Sequence, residues 1–302
     1  MTQSIYLAVF GCAVLTALTA TAGDDNPILA PGAKLQKLAG DFLFTEGPAC
    51  DADGNVYFTD QPNDRIMIWS AEAKLSTFMQ PCGRSNGLCF DNQGNLIACA
   101  DEHNQLWSID VKTKQHAILV KDYDGKLLNG PNDVWVRPDN GLYFTDPYYQ
   151  REYWRRGPKE QDVEGVYFLS ADRKTLKRVI SDMVRPNGII GTPDGKTLYV
   201  SDIDGHKTYS YAIKDDGSLS DKKLFCEMGS DGMTIDDAGN VYLTNHGAFA
   251  FDKTGKQVLK IDVPENWCGN ICFAGRDRQT LFITASKGIY AIRTRTRGVG
   301  SQ

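Results

Sequence analysis

The stretch Asp231-Gly-Met-Thr-Ile-Asp-Asp-Ala-Gly-Asn-Val-Tyr-Leu-Thr-Asn245 decides the fold, because the chain writes the same phrase five more times. Another copy reads Glu46-Gly-Pro-Ala-Cys-Asp-Ala-Asp-Gly-Asn-Val-Tyr-Phe-Thr-Asp60, and further copies span Asn86–Asp101, Asn132–Asp146, Asn187–Asp202 and Asn270–Ala285. Each opens on a polar residue, continues through a short apolar run, turns at Asp/Asn and Gly, and closes on a β-branched and aromatic strand. The leading residues are 40, 46, 55, 44 and 39 positions apart, which is the spacing of propeller blades. The glycine of each turn supplies the positive φ that a tight hairpin needs. A second strand pair follows each copy, as in Arg65–Trp69, Gln105–Ile109, Gly165–Leu169, Lys207–Tyr211, Ala248–Phe251 and Gly288–Ile292. The expectation is an all-β, six-bladed propeller with four-stranded antiparallel blades over residues 35–298. A β-sandwich does not explain six near-identical phrases. Residues Leu35 to Leu43 and the final strand near Tyr290 to Thr294 are expected to share one blade, so that the chain end completes the first blade.

Residues 1–22 read as a signal peptide. Ile5 to Ala20 is apolar and uncharged, and Ala20-Thr21-Ala22 is a small-x-small cleavage pattern. An uncleaved anchor is the alternative, but the run is short for a spanning helix. Cleavage after Ala22 leaves a periplasmic or secreted protein with no membrane segment, and residues 23–34 form a linker to the propeller. The net charge of -5 argues against a nucleic-acid partner, which needs a basic face. Of eight cysteines, Cys12 lies in the signal, leaving an odd number in the mature chain. Complete internal pairing is therefore excluded. Most are expected to be core thiols, with at most one or two bridges.

In a propeller the innermost strands surround a central channel. If each phrase opens the innermost strand, then Glu46, Asn86, Asn132, Asn187, Asp231 and Asn270 converge on the channel mouth. All six carry carboxylate or amide oxygens, the donors that hard cations take, and the two carboxylates neutralise a divalent ion. A lone Asn-Gly is most simply a turn former. Here the later Gly already makes the turn, leaving the leading position without a local reason to be polar.

These phrases resemble the family that joins senescence marker protein 30, gluconolactonases and regucalcin-like lactonases, and more distantly squid-type diisopropylfluorophosphatase. Glu46-Gly-Pro, Ser85-Asn86-Gly-Leu, Pro131-Asn132-Asp, Pro186-Asn187-Gly-Ile, Ser230-Asp231-Gly-Met and Phe144-Thr145-Asp146-Pro147 carry the resemblance over residues 35 to 293. It implies that Glu46, Asn187 and Asp231 bind one divalent metal, that Asn132 binds the metal or the substrate, and that Asp231 is the general base or the nucleophile. Oxygen-only ligands favour calcium over zinc, magnesium or manganese. The implied reaction is hydrolysis of a small sugar lactone, with other lactones or organophosphates as alternatives; a non-catalytic ligand-binding propeller with a structural ion is a third reading. The sequence carries no signal for an oligomeric state. The mammalian-type members place an Arg two residues before the third-blade Asn, where this chain has Gly130, and their substrate-binding Glu has no match near Gln150 and Arg151.

Around the expected pocket, Asn86, Asn132 and Asn270 are substrate contacts, joined by Arg84, by His103 and His246 after inner strands, and by Tyr148. Tyr148 belongs to an aromatic-basic insertion, Asp146 to Asp162, which reads either as a lid or as a packed surface loop. His116 and His206 read as outer turn residues. No Gly-x-Ser-x-Gly elbow is present, so a serine hydrolase is not expected. Asp51-Ala-Asp53-Gly-Asn55 mimics the opening of a calcium loop, but the repeat explains it as a hairpin.

Overall fold

The computed structural model describes residues 26–154 and 156–299. The segment expected to be a signal peptide, residues 1–22, and Arg155 lie outside the described residues. Six four-stranded antiparallel sheets stand in sequence. Blade one is Thr45–Cys50, Val56–Asp60, Arg65–Trp69 and Leu75–Met79; blade two is Leu88–Phe90, Leu96–Ala100, Gln105–Ile109 and His116–Val120. Blade three is Val134–Val136, Leu142–Asp146, Gly165–Leu169 and Leu176–Ile180; blade four is Pro186–Gly191, Thr197–Asp202, Lys207–Ile213 and Leu219–Cys226. Blade five is Met233–Ile235, Val241–Thr244, Ala248–Phe251 and Gln257–Ile261. Blade six takes Cys268–Ala274, Thr280–Ala285 and Gly288–Arg293 from the chain end and its outer strand, Gln36–Ala39, from the beginning.

The first strand of every blade touches the first strands of both neighbours, and the last closes on the first. That contact pattern is a closed ring with the repeat phrases innermost. Six separate hydrophobic clusters fill the spaces between adjacent blades. The cluster at the ring closure sets Phe42 and Phe58 edge to face at 5.4 Å, with Phe282 beside them. Burying each such side chain contributes about 1.5–3 kcal/mol, and the aromatic contacts add to it.

The expected meeting of chain ends occurs, with one difference. Gln36 pairs with Ala291 and Lys37 with Tyr290, so the N-terminal strand completes blade six, while blade one is built from its own four strands. Residues before Leu35 also join the core: Ile28 and Leu29 are buried, and Leu29 bridges Thr294.

Two recurring side-chain bonds, each present in three of the six phrases, explain much of the local folding. In the hairpin, Asp51 Oδ1 accepts the Asn55 amide at 2.8 Å, and Asp91–Asn95 and Asp236–Asn240 repeat the bond. The calcium-loop mimic is thus a hairpin turn. The trailing Asp holds the loop that enters its own blade. Asp60 Oδ1 accepts the amides of Leu43 and Phe44, Asp146 those of Asn129 and Gly130, and Asp202 those of Val184 and Arg185. No disulfide forms among the described residues, and Cys50, Cys82, Cys99, Cys226 and Cys268 are buried.

Because blade six borrows its outer strand, a protein starting at residue 41 exposes the edge of Gly288–Arg293. Its thermal midpoint is expected to fall by on the order of 10 °C or more, with aggregation on heating. An unchanged midpoint in scanning calorimetry would show that ring closure does not depend on this strand.

Candidate active site

The six leading residues sit where the inner strands begin. Glu46, Asn86, Asn132, Asn187 and Asn270 are buried, and Asp231 is half-buried. What draws them together is the glycine beside them. A Cβ on Gly47 would stand 2.2 Å from Asn86 O, one on Gly87 2.5 Å from Asn132 O, and one on Gly188 2.8 Å from Asp231 O. One on Gly232 would overlap the Asn270 side chain at 2.0 Å, and one on Gly269 would meet Glu46 Oε1 at 2.5 Å. These glycines let five of the six inner strands press against the next blade's leading residue; the third blade carries Asp133 instead.

Glu46 and Asp231 come within hydrogen-bonding reach of each other in this ring. Burial raises the Glu46 pKa well above the ordinary carboxylate range, and the Asp231 charge raises it further, opposed by the Gly47 amide that Oε2 accepts at 2.9 Å. Burial also raises Asp231, against the Trp267 indole, the Asn187 amide, the Arg151 charge and a hydrogen bond from the Glu46 carboxyl, which favour its ionised form. Trp267 Nε1 donates to Asp231 Oδ2 at 2.5 Å. Asn187 Nδ2 donates to the Tyr149 hydroxyl at 2.9 Å, and its Oδ1 is buried with no donor. A buried carbonyl oxygen without a partner is costly. Beside two repelling carboxylates it is what a hard cation would satisfy, so these residues fit a divalent ion bound by oxygen. Among the described residues no three His, Cys, Asp or Glu side chains converge; the remaining donors are amides.

Above the ring opens a cavity of about 550 Å³, walled by Glu46, Asn86, Asn132, Asp231, His246 and Trp267 together with Tyr149, Arg151 and His206. Its size suits a small ligand. Asn270 instead lies lower in the channel, its Oδ1 accepting the Ile271 amide. Three expected contacts are elsewhere. Arg84 pairs with Glu102 at 3.2 Å and lies over the Tyr153 ring. His103 is exposed and stacks on Trp107 at 5.5 Å, because it sits in a turn between strands two and three of its blade. Tyr148 turns away to bond Gln150, with Arg156 over its ring. His246 does line the cavity, its Nδ1 3.0 Å from Asn266 O. His206, expected on the outside, lines it too.

Tyr149, Arg151 and Trp267 were not foreseen. Tyr149 and Arg151 come from the insertion, which is a packed wall. Arg156 pairs with buried Asp101 at 3.2 Å, stacks on buried Trp154 at 3.9 Å and donates to Tyr149 O at 2.7 Å. This pairing also accounts for Gly130. A Cβ there would lie 2.1 Å from Asp101 Oδ1 and 2.6 Å from Arg156 Nη1, on backbone with φ of 144°. The arginine of the mammalian-type members has no room at this position. Asp133, a third buried carboxylate, was also missed; burial pushes it up to about 8. The available signal was that Asp stands after Asn132 where Asn86, Asn187 and Asp231 are followed by Gly.

The SMP-30/Gluconolactonase/LRE-like region matches residues 44–287. The chain belongs to that family. Among relatives of this SMP-30/gluconolactonase member, a gluconolactonase of Zymomonas mobilis is 30% identical over 303 aligned residues, covering 90% of this chain and 85% of the other. A solved gluconolactonase structure from Xanthomonas campestris superposes with a TM-score of 0.83 at 28% identity, covering 89% and 91% of the two chains. A calcium-binding regucalcin from Agrobacterium tumefaciens shares the fold, with a TM-score of 0.73 at 16% identity over 87% and 95%.

In this SMP-30/gluconolactonase ring the raised carboxylates bind protons that the unfolded chain has already released. Stability from Glu46, Asp231 and Asp133 is therefore present at low pH and lost as pH rises through their folded-state values. In chelator, Asp231→Asn removes one carboxylate charge from the ring while leaving Trp267 an acceptor. Its thermal midpoint is expected to exceed that of the parent by roughly 3–5 °C at pH 8, with the difference closing towards pH 5. A lower midpoint at pH 8 would contradict the repulsion.

Proposed function

We propose that this protein hydrolyses a sugar lactone at the ring of leading residues, with calcium held by Glu46, Asn187 and Asp231 and with Asn132 beside them. The single observation that carries the reading is the Asn187 oxygen, buried without a donor in the ring of leading residues that holds both carboxylates, its amide bonded to the cavity-wall residue Tyr149. The names of the gluconolactonase relatives support the substrate class, and the regucalcin neighbour supports calcium. A cation bound here supplies Lewis-acid polarisation of the lactone carbonyl.

The chain's own groups do the rest. Tyr149 orients the Asn187 amide by accepting from Nδ2, so that Oδ1 points at the ring. Trp267 engages Oδ2 of Asp231, leaving Oδ1 to take a proton from the attacking water. The water oxygen bonds to the carbonyl carbon as the ring C–O bond breaks. The proton then passes to the departing ring oxygen and yields the hydroxy acid. His246, with Nδ1 engaged by Asn266 O, has Nε2 left to carry that proton at the cavity wall. The N-terminal segment, read as a cleaved signal, would put the reaction outside the cytoplasm.

A screen of aldonolactones against phosphotriesters, with and without chelator, tests the assignment. Aldonolactone hydrolysis lost in chelator and restored by calcium is expected. Asp231→Asn should lose about 10³-fold or more in kcat while remaining folded; parental rates would remove the mechanism. Calcium should also raise the thermal midpoint, more at pH 8 than at pH 5, because protons compete for the same oxygens. A pH-independent shift would place the ion elsewhere. Tyr149→Phe should weaken calcium about tenfold or more in calorimetry. Unaltered affinity would leave Tyr149 with no part in orienting the amide.

A further inference from the structure

Arg151 brings a guanidinium to the cavity wall, and no side chain among the described residues accepts from it. Its Nε is enclosed and has no hydrogen-bond partner. Among the described residues the neighbouring arginines have carboxylate partners: Arg84 has Glu102, Arg156 has Asp101, and Arg185 has Glu164 and Asp204. Arg151 instead lies over the Tyr149 ring at 4.7 Å, with Trp154 at 5.8 Å. An aromatic bed fixes a guanidinium but satisfies none of its five N–H donors.

The placement matters as much as the missing acceptor. Tyr149, on which Arg151 rests, bonds Asn187, and the Arg151 charge is felt by Asp231. A divalent ion on the ring and an unpaired guanidinium on the wall repel each other in one cavity. Of the other acids on the wall, Asp204 is paired with Arg185 and Glu227 is exposed. A neutral sugar lactone brings only hydroxyls to Arg151. A planar fork of N–H groups matches an anionic oxygen group far better.

We propose that the lactone carries a second, anionic substituent, a carboxylate or a phosphate ester, and that Arg151 receives it. This rests on the lactonase reading and narrows it to acidic sugar lactones. The subsite is polar on one side only, with Tyr149 behind the guanidinium, so the anion approaches from the cavity.

Two substrate pairs that differ only at C6 test the assignment. D-Glucono-1,4-lactone is compared with D-glucaro-1,4-lactone, which carries a carboxylate there, and glucono-δ-lactone with its 6-phosphate. The calcium-loaded protein is expected to favour at least one anionic member by tenfold or more in kcat/KM, and which one identifies the group. Arg151→Gln should lower that anionic-to-neutral ratio by roughly 30-fold, mainly through KM, and Arg151→Lys should restore part of it. A ratio near one in the parent protein, or equal losses on both members in Arg151→Gln, would overturn the proposal and leave Arg151 as a support for Tyr149. If none of the four lactones is hydrolysed, the lactonase reading fails by itself. Calorimetry with glucarate and 6-phosphogluconate against gluconate then still decides the subsite. Tighter binding of either of the two more highly charged acids that Arg151→Gln abolishes supports it, and equal affinities refute it.

Discussion

The close approach of six inner strands is the constraint on which everything else rests. Gly47, Gly87, Gly188 and Gly232 each stand where a methyl group would collide with the next blade's leading residue. With those methyls absent, the ring shrinks until Glu46 and Asp231 repel and the Asn187 oxygen is shut away from water. The protein thus holds an arrangement that is unfavourable on its own terms. The blades supply the compensation, through six interblade clusters and the strand that the N-terminus lends to blade six. Stability is gathered between the blades and partly given back at the centre, as functional sites commonly require.

The architecture was legible because it is repetitive. Phrases spaced by 39 to 55 residues and a hairpin signature in each leave little freedom to a chain whose strands must pair. The leading residues were legible for the same reason: equivalent positions in equivalent blades must meet at the axis. Four of the six line the cavity, Asn187 is bonded to Tyr149 on its wall, and the Asn270 side-chain carbonyl accepts the next amide lower in the channel. The trailing Asp of four phrases was visible as a repeat, but the task of bonding two loop amides, taken by Asp60, Asp146 and Asp202, appears only with the loop in place.

The cavity walls were much less legible, because they come from segments outside the repeat. Tyr149 and Arg151 arrive on the insertion, and a one-residue shift from Tyr148 to Tyr149 moves the side chain from one face of the loop to the other. Trp267 precedes its leading residue by three positions and Arg84 precedes its own by two. One bonds Asp231, while the other is taken by Glu102. Nothing local distinguishes these fates; they depend on which acids stand nearby in space. Gly130 shows the same point from the other side. It read as a missing arginine, and the Asp101–Arg156 pair fills the space that arginine would need.

Hydrolysis as proposed requires a cation at the centre of the ring. Crystals grown with manganese in place of calcium, measured by anomalous diffraction, locate such an ion directly. A single strong peak about 2.1–2.6 Å from the oxygens of Glu46, Asn187 and Asp231 is the expected result. A map with no peak there, or with Glu46 and Asp231 joined by a proton while manganese sits elsewhere, would contradict it.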